Sequence, residues 1–223
     1  MSPEPLVLLG AGGFARETLE LVAAVNRIAP RWRVVGLLDD DPALRGSQIG
    51  GVPVLGPVDE ANERVTARVA ACVASPADPF RRLRLVDRLA VAPERWATLV
   101  HPTAVIPSSA SIGPGSVIHA GTVLTADVRL GAHVAAMPSV VLTHDDVVGD
   151  GVTFGAGVRV AGEVTIERGA YVGAGALVRE RVVVGAGALI GMGAVVTSSV
   201  PAGETWAGVP ARRLRGSSLG AAA

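Results

Sequence analysis

Between Val105 and Val200 the chain counts in sixes, and no other feature restricts its fold as much. Every sixth residue from Ile106 to Val196 is large and apolar, from Ile106, Ile112 and Ile118 through Phe154 to Val184, Ile190 and Val196. Ala136 is the exception. The residue four places after each is small or β-branched, with Asp146 the one charged member of that second series. A helical period of 3.6 or a strand alternation of 2 cannot hold a register of six over sixteen units. A coil of short flat strands with a turn in every hexad can. Its large residues point inward, its small ones sit near the corners, and glycines supply turn conformations that a Cβ resists. Coils stacked about 4.8 Å apart then share one continuous core. The pattern predicts a parallel β-helix.

Composition suits that reading. Hydrophobic residues make up 49% of the chain but aromatics only 3%, which fits a narrow coil interior better than a broad core. Formal net charge is zero, so no basic field recruits nucleic acid or an anionic membrane. Every cation is Arg; the absence of Lys excludes Schiff-base and P-loop lysine chemistry. Cys72 stands alone, leaving neither a disulfide framework nor a Cys-rich zinc site. No signal peptide or membrane-length apolar run is evident, which favours the cytoplasm.

Ahead of the coil, Pro5 to Leu9 reads as a buried strand ending at Gly10-Ala-Gly12-Gly13-Phe14-Ala15. A helix follows from Arg16 to about Ile28, then a strand from Val34 to Leu38 that runs into Asp39-Asp40-Asp41. Val52-Pro-Val54 is too short to assign, though Gly50-Gly51 and Gly56-Pro57 bracket it as an extended piece between turns. Asp59 to Thr66 reads as helical, Val69 to Ala74 as a strand, and Pro79 to Leu89 as an amphipathic helix. Strand, Gly turn, helix and strand make a βαβ unit, so an α/β Rossmann-like domain over residues 1–96 precedes an all-β left-handed parallel β-helix over 97–200. Residues 201–223 form an extension whose Gly/Ser/Ala tail is expected to be mobile.

Gly10-x-Gly12-x-x-Ala15, with Asp39 or Asp40 ending the next strand, matches a nucleotide-binding fingerprint. About a hundred residues is short for a two-lobed dinucleotide domain, so a nucleotide is the expected ligand. The four histidines, His101, His119, His133 and His144, do not share one place in the hexad, and no metal site is predicted from them. His144 lies in Thr143-His144-Asp145-Asp146, where the repeat calls for small neutral residues. A local rule broken in this way points to function. Asp145 can hold the imidazole in one tautomer and raise its basicity, as a general base requires.

These stretches together resemble the PglD/NeuD-like sugar acyltransferases. The likeness covers nearly the whole chain: Leu9 to Gly13, Leu38-Asp39-Asp40, His101-Pro-Thr-Ala-Val105, His144 to Gly151 and Ala207-Gly-Val-Pro210-Ala-Arg. It implies a homotrimer with acetyl-CoA held between neighbouring coils and a nucleotide-linked amino sugar reaching in from the N-terminal domain. By the same resemblance His144 is the general base, Asp145 its acidic partner, and Gly162 the glycine whose N–H faces the thioester oxygen. Ala174 and Met192 fall where main-chain groups meet the pantetheine arm. Gly12, Gly13 and Phe14 align with the turn holding the sugar nucleotide, Asp39 and Asp40 with uridine contacts, and Ser75 with a strand-end glycine. The chain departs from the family in three places: Thr153 replaces a second His near the acetyl group, Met137 a coil Asn, and Phe14 a His of the opening turn.

The function expected from these residues is acetyl-CoA-dependent N-acetylation of a nucleotide-linked amino sugar, without a metal and without a covalent enzyme intermediate. O-acetylation of a sugar hydroxyl and a non-catalytic nucleotide-sugar-binding trimer are the alternatives. Dehydrogenase chemistry is the weakest, since a coil offers no hydride site.

Overall fold

The computed structural model describes residues 2–214; the Gly/Ser/Ala tail expected to be mobile lies outside the described residues. The N-terminal elements are β1 (Glu4–Leu9), α1 (Gly13–Ile28), β2 (Trp32–Leu38), β3 (Gln48–Ile49), β4 (Val52–Gly56), β5 (Arg68–Ala71) and α2 (Arg81–Leu89). They build a sheet of order β3-β4-β2-β1-β5, parallel except for the β3–β4 hairpin. β1 lies between β2 and β5, and Leu6, Val7, Leu8 and Leu9 are wholly buried, the continuous apolar run of a strand covered on both faces.

The extended piece at Val52-Pro-Val54 belongs to a strand, β4, which reaches Gly56 by pairing with β2. One segment differs from the sequence reading. The stretch expected to be helical over Asp59–Thr66 is a 3-10 helix, Val58–Asn62, followed by turns. Only Val58 and Ala61 are buried there, too narrow an apolar stripe to anchor an α-helix, and the bonds run i to i−3 from Pro57 onward.

The coil is a three-sided left-handed β-helix in which each residue pairs with the one a full turn on, as Arg129 with Val147 and Ala135 with Thr153. The first face stacks two-residue strands from Ser111–Ile112 to Val183–Val184, and the second runs from Leu99–Val100 through Leu189–Ile190 to Thr205–Ala207. The third runs from Val123–Leu124 to Val195–Val196. From Ile118 to Val196 the inward hexad residues are all buried. Ala136 stacks directly beneath Phe154, so the one small inward residue lies against the one aromatic. At the far end Trp206 pairs with Ile190 and Ala211 is buried in the core, closing the last coil as a cap must.

The N-terminal domain lies against the second face, where the outward residues Leu99, Val117, Ala135, Thr153 and Leu189 are buried and Tyr171 is half-buried. It also grips the edge between the first and second faces. A Cβ on Gly151 would lie 2.5 Å from Leu83, and one on Gly169 or Gly187 would lie 2.4 or 2.5 Å from the Phe80 ring. These glycines have φ near +65° as well, so the edge needs glycine for both its turn and its flatness. His133 continues that edge and meets Trp96 edge-on at 4.6 Å.

Arg82 closes the junction. Its guanidinium is buried and donates to the carbonyls of Val73, Gly151 and Val152 at 3.1–3.2 Å and to Thr153 Oγ1 at 2.7 Å. Burial pulls its pKa down to about 10, so it stays charged at neutral pH. Arg82→Met is expected to cost about 2–4 kcal/mol, because a charged donor disappears from several buried acceptors at once. Thermal or urea melting measures this. An unchanged midpoint would mean that Phe80 and Leu83 hold the domains together without it.

Candidate active site

His144 and Asp145 are the two corner residues of the turn between the strands Val141–Leu142 and Val147–Val148, on the edge between the third and first faces. This edge is built unlike the glycine edge under the N-terminal domain. Its left-handed positions carry Asp127, Asp145, Glu163 and Arg181, each with φ near +60°. Asp145 accepts a hydrogen bond from His144 Nδ1 at 2.9 Å. With the carboxylate ionised, Nδ1 carries the proton and Nε2 is left as the acceptor. The Asp145 bond, aided by the charges of Asp145, Glu163 and Asp146, raises the His144 pKa above its usual range against slight desolvation. Glu163 is held in turn by Arg181 at 2.8 Å.

Gly162 lies directly beneath the imidazole. A Cβ there would be 2.3 Å from His144 Nε2, so only glycine lets the ring occupy this position. The N–H of Gly162 has no acceptor among the described residues. A proton acceptor and a free backbone donor thus sit side by side on an exposed edge, an arrangement suited to deprotonating a nucleophile while stabilising a developing oxyanion.

A concave site lies apart from this edge, at the C-terminal ends of β1, β2 and β5: a cleft of about 540 Å³ lined by Gly10, Asp39, Asp40, Val58, Asp78, Arg81, Arg84 and Arg88 among others. It occupies the place where open α/β sheets take ligands. Gly10 has φ +105, and a Cβ would meet Cys72 O at 2.9 Å, so this glycine is required by the turn. Gly12 and Gly13 have open space in front of them, with no contact shorter than 3.9 Å to an added Cβ. Gly12 caps α1 without a side-chain bond, leaving first-turn N–H groups available to an anion.

Asp39 serves the turn itself, accepting from Ala11 N at 2.7 Å and Asp41 N at 2.9 Å. Asp40 accepts from Val58 N and pairs with Arg88 at 3.0 Å. Desolvation opposes its ionisation, but Arg88 and the Val58 N–H outweigh that and hold its pKa below the usual value. The sequence reading missed Arg81, Arg84 and Arg88. Their spacing of three and four along α2 was the available signal, because it sets all of them on one face while Arg82 turns to the coil.

The other expected site residues lie elsewhere. Ala174 and Met192 stack on the edge between the second and third faces, where Gly193 N donates to Ala174 O, and Met192 is 81% exposed. Thr153 is buried on the second face, its hydroxyl accepting from Arg82. Phe14 packs into the domain junction, its ring 5.9 Å from His119 and 6.0 Å from the Arg82 guanidinium. Ser75 lies in the loop after β5, its carbonyl accepting from Asp78 N. No group of three or more His, Cys, Asp or Glu side chains among the described residues could hold a metal ion. None of the described helices is long and apolar enough to cross a membrane.

Residues 5–89 match the family model for the PglD N-terminal domain. No curated protein sequence matches the chain. Among solved structures, the acetyltransferase domain of PglB from Neisseria gonorrhoeae FA1090 in complex with acetyl coenzyme A is 30% identical, with a TM-score of 0.83 over 96% of this chain and 100% of that one. The chain belongs to the PglD-like sugar acetyltransferase family. WeeI from Acinetobacter baumannii AYE is 31% identical, covering 94% of this acetyltransferase and 99% of its own chain with a TM-score of 0.78. A variant of the GDP-perosamine N-acetyltransferase of Caulobacter crescentus, in complex with CoA and GDP-perosamine, is 26% identical over 94% of this enzyme and 96% of its own chain, with a TM-score of 0.82.

Proposed function

We propose that this acetyltransferase transfers an acetyl group from acetyl-CoA to the amine of a nucleotide-linked amino sugar, working as a homotrimer in the cytoplasm. The observation that carries this is the placement of His144 Nε2 over Gly162, with Nδ1 held by Asp145. The amine nitrogen attacks the thioester carbonyl and a C–N bond forms. His144 Nε2 takes the amine proton, Asp145 stabilises the imidazolium, and the Gly162 N–H donates to the carbonyl oxygen. The C–S bond then breaks and the thiolate leaves, to be protonated by the imidazolium. No enzyme nucleophile is needed; Cys72 is buried, its thiol pushed up to about 12.

A trimer is supported by where the parts lie. His144 sits on the edge opposite the face that the N-terminal domain covers, so one chain cannot bring its own cleft to its own base. Val147, Val183 and Leu177 are 37–44% exposed on the two uncovered faces, apolar surface suited to neighbouring copies. Ala174 and Met192 on one edge of the third face, and Gly162 on the other, would then flank the CoA arm between subunits. The likeness to an enzyme bound to GDP-perosamine supports a sugar nucleotide in the cleft.

Thiol release measured over a panel of nucleotide-linked amino sugars and their hydroxyl counterparts tests the reading. Release with the amines alone is expected. Release with the hydroxyl sugars would establish O-acylation, and nucleotide binding without any release would leave a binding protein. Within the cleft, Arg81 makes no ion pair among the described residues, whereas Arg84 is matched by Asp78 and Arg88 by Asp40. Arg81→Ala is therefore expected to raise KM for the sugar nucleotide about tenfold, one charge-assisted contact to phosphate, with kcat within about twofold. Steady-state kinetics at saturating acetyl-CoA checks this, and an unchanged KM would remove Arg81 from the phosphate site.

A further inference from the structure

The turn that carries His144 departs from the rest of the coil at its backbone. In the other hexads the residue after the inward one donates its N–H to a carbonyl one coil on, as in Thr125 to Leu142, Gly131 to Val148, Met137 to Phe154, Gly149 to Ile166 and Ala161 to Val178. By that rule Thr143 N should bond Val160 O. Among the described hexads from Gly113 to Gly191, Thr143 alone breaks it: its N–H goes to Asp146 Oδ2 at 2.9 Å, and its side-chain hydroxyl takes over the bond to Val160 O at 3.0 Å. Asp146 Oδ1 meanwhile accepts from Val164 N on the next coil at 3.0 Å.

Asp146 occupies a position filled elsewhere by Val128, Val140, Val152 or Val158, and it is 1% exposed. A carboxylate in an otherwise apolar column is costly to bury. What it accomplishes here is local: it takes two backbone donors, one inside the catalytic turn and one beyond it, and so replaces the ladder bond that would draw Thr143 back onto the coil.

We propose that Asp146 is a positioning residue for the general base, its ionised carboxylate fixing the backbone of the His144 turn so that the imidazole lies over Gly162. The inference rests on His144 being the base. The charged groups acting on it are His144 and Asp145 on the same turn; farther along the same edge lie Asp127 one coil before and Glu163, paired with Arg181, on the coils after. Burial pushes the Asp146 pKa up to about 6, against its two backbone bonds and the nearby His144. Below that pH, with His144 already protonated, the neutral carboxyl would present an O–H to one of its N–H donors and the turn would loosen.

An NMR titration of the imidazole nitrogens tests this without requiring turnover, in wild type, Asp146→Asn and Asp146→Val. Asn keeps the shape but sets an NH₂ against a backbone N–H; Val is the residue type of the neighbouring coils and keeps the fold. In both variants the His144 midpoint should move down by about half a pH unit, as a nearby negative charge is lost. The signature of the Nδ1–H bond to Asp145 should weaken as the turn relaxes. In turnover assays kcat should fall about tenfold while both KM values stay within about twofold. A His144 midpoint and kcat unchanged in the Val variant would overturn the proposal. If His144→Ala itself kept wild-type turnover, the base assignment would fall, whereas the titration would still report whether Asp146 positions the ring.

Discussion

His144→Ala is expected to lower kcat by about 10²–10⁴ and leave acetyl-CoA affinity nearly unchanged. The side chain is 57% exposed and meets the fold chiefly through Asp145, so its removal leaves the coil intact. What is lost is the imidazole of this edge. His119 and His133 are buried, their pKa values driven down to about 4 by desolvation, and both lie on parts of the coil that the N-terminal domain packs against. The pH profile of the wild type carries the same information. A base must be neutral to accept a proton, and Asp145 raises the His144 pKa above its ordinary 6.5. Activity should therefore fall as pH drops through a value above 6.5, and that limb should move to lower pH in Asp145→Asn. Stopped thiol-release assays across pH measure both effects; wild-type kcat in His144→Ala would remove the mechanism.

Gly162→Ala is expected to be almost as damaging, with kcat lowered by about 10², although the substitution adds a single methyl group. That methyl would lie 2.3 Å from His144 Nε2 and 2.4 Å from Cε1, distances that real Cβ atoms do not tolerate. The imidazole must swing away from the Gly162 N–H, separating the base from the oxyanion donor. Gly162 does not have a positive φ, so the backbone accepts Ala without strain and the melting temperature should change little. A stable protein with wild-type KM for the sugar nucleotide and collapsed kcat is the expected signature. Loss of stability in parallel with activity would mean that Gly162 is needed by the coil rather than by the chemistry.

Much of this architecture is legible in the sequence because a register of six has few physical solutions. The inward series from Ile106 to Val196 names the core of the coil directly, and the Gly10 turn followed by an apolar helix and strand specifies a parallel sheet. His144-Asp145 stands out for the same reason: a repeat makes its own exceptions visible. The domain junction is not legible in this way. Phe80, Arg82 and Leu83 fall in a stretch that reads only as an amphipathic helix, and nothing local says that Gly151, Gly169 and Gly187 will form the flat edge that Phe80 and Leu83 press on, since those contacts span some 70–110 residues. Thr153 shows the same limit. Aligned by resemblance it falls near an acyl site, whereas its hydroxyl is engaged by a buried guanidinium that only the tertiary fold brings there. Asp39 and Asp40 were aligned alike with uridine contacts; in the structure Asp39 binds the glycine turn and Asp40 pairs with Arg88. Asp146 was visible as the one charge in an apolar series, but its purpose depends on a backbone bond that the sequence does not display.

The most direct test is a crystal structure of the enzyme with CoA and a nucleotide-linked amino sugar bound together. Three copies around an axis are expected, with the CoA sulfur and the sugar nitrogen both beside His144 Nε2 and the Gly162 N–H, and the nucleotide in the cleft of Gly10, Asp40 and Arg81 on an adjacent copy. CoA seated away from the His144 edge, or a nucleotide bound outside that cleft, would contradict this arrangement.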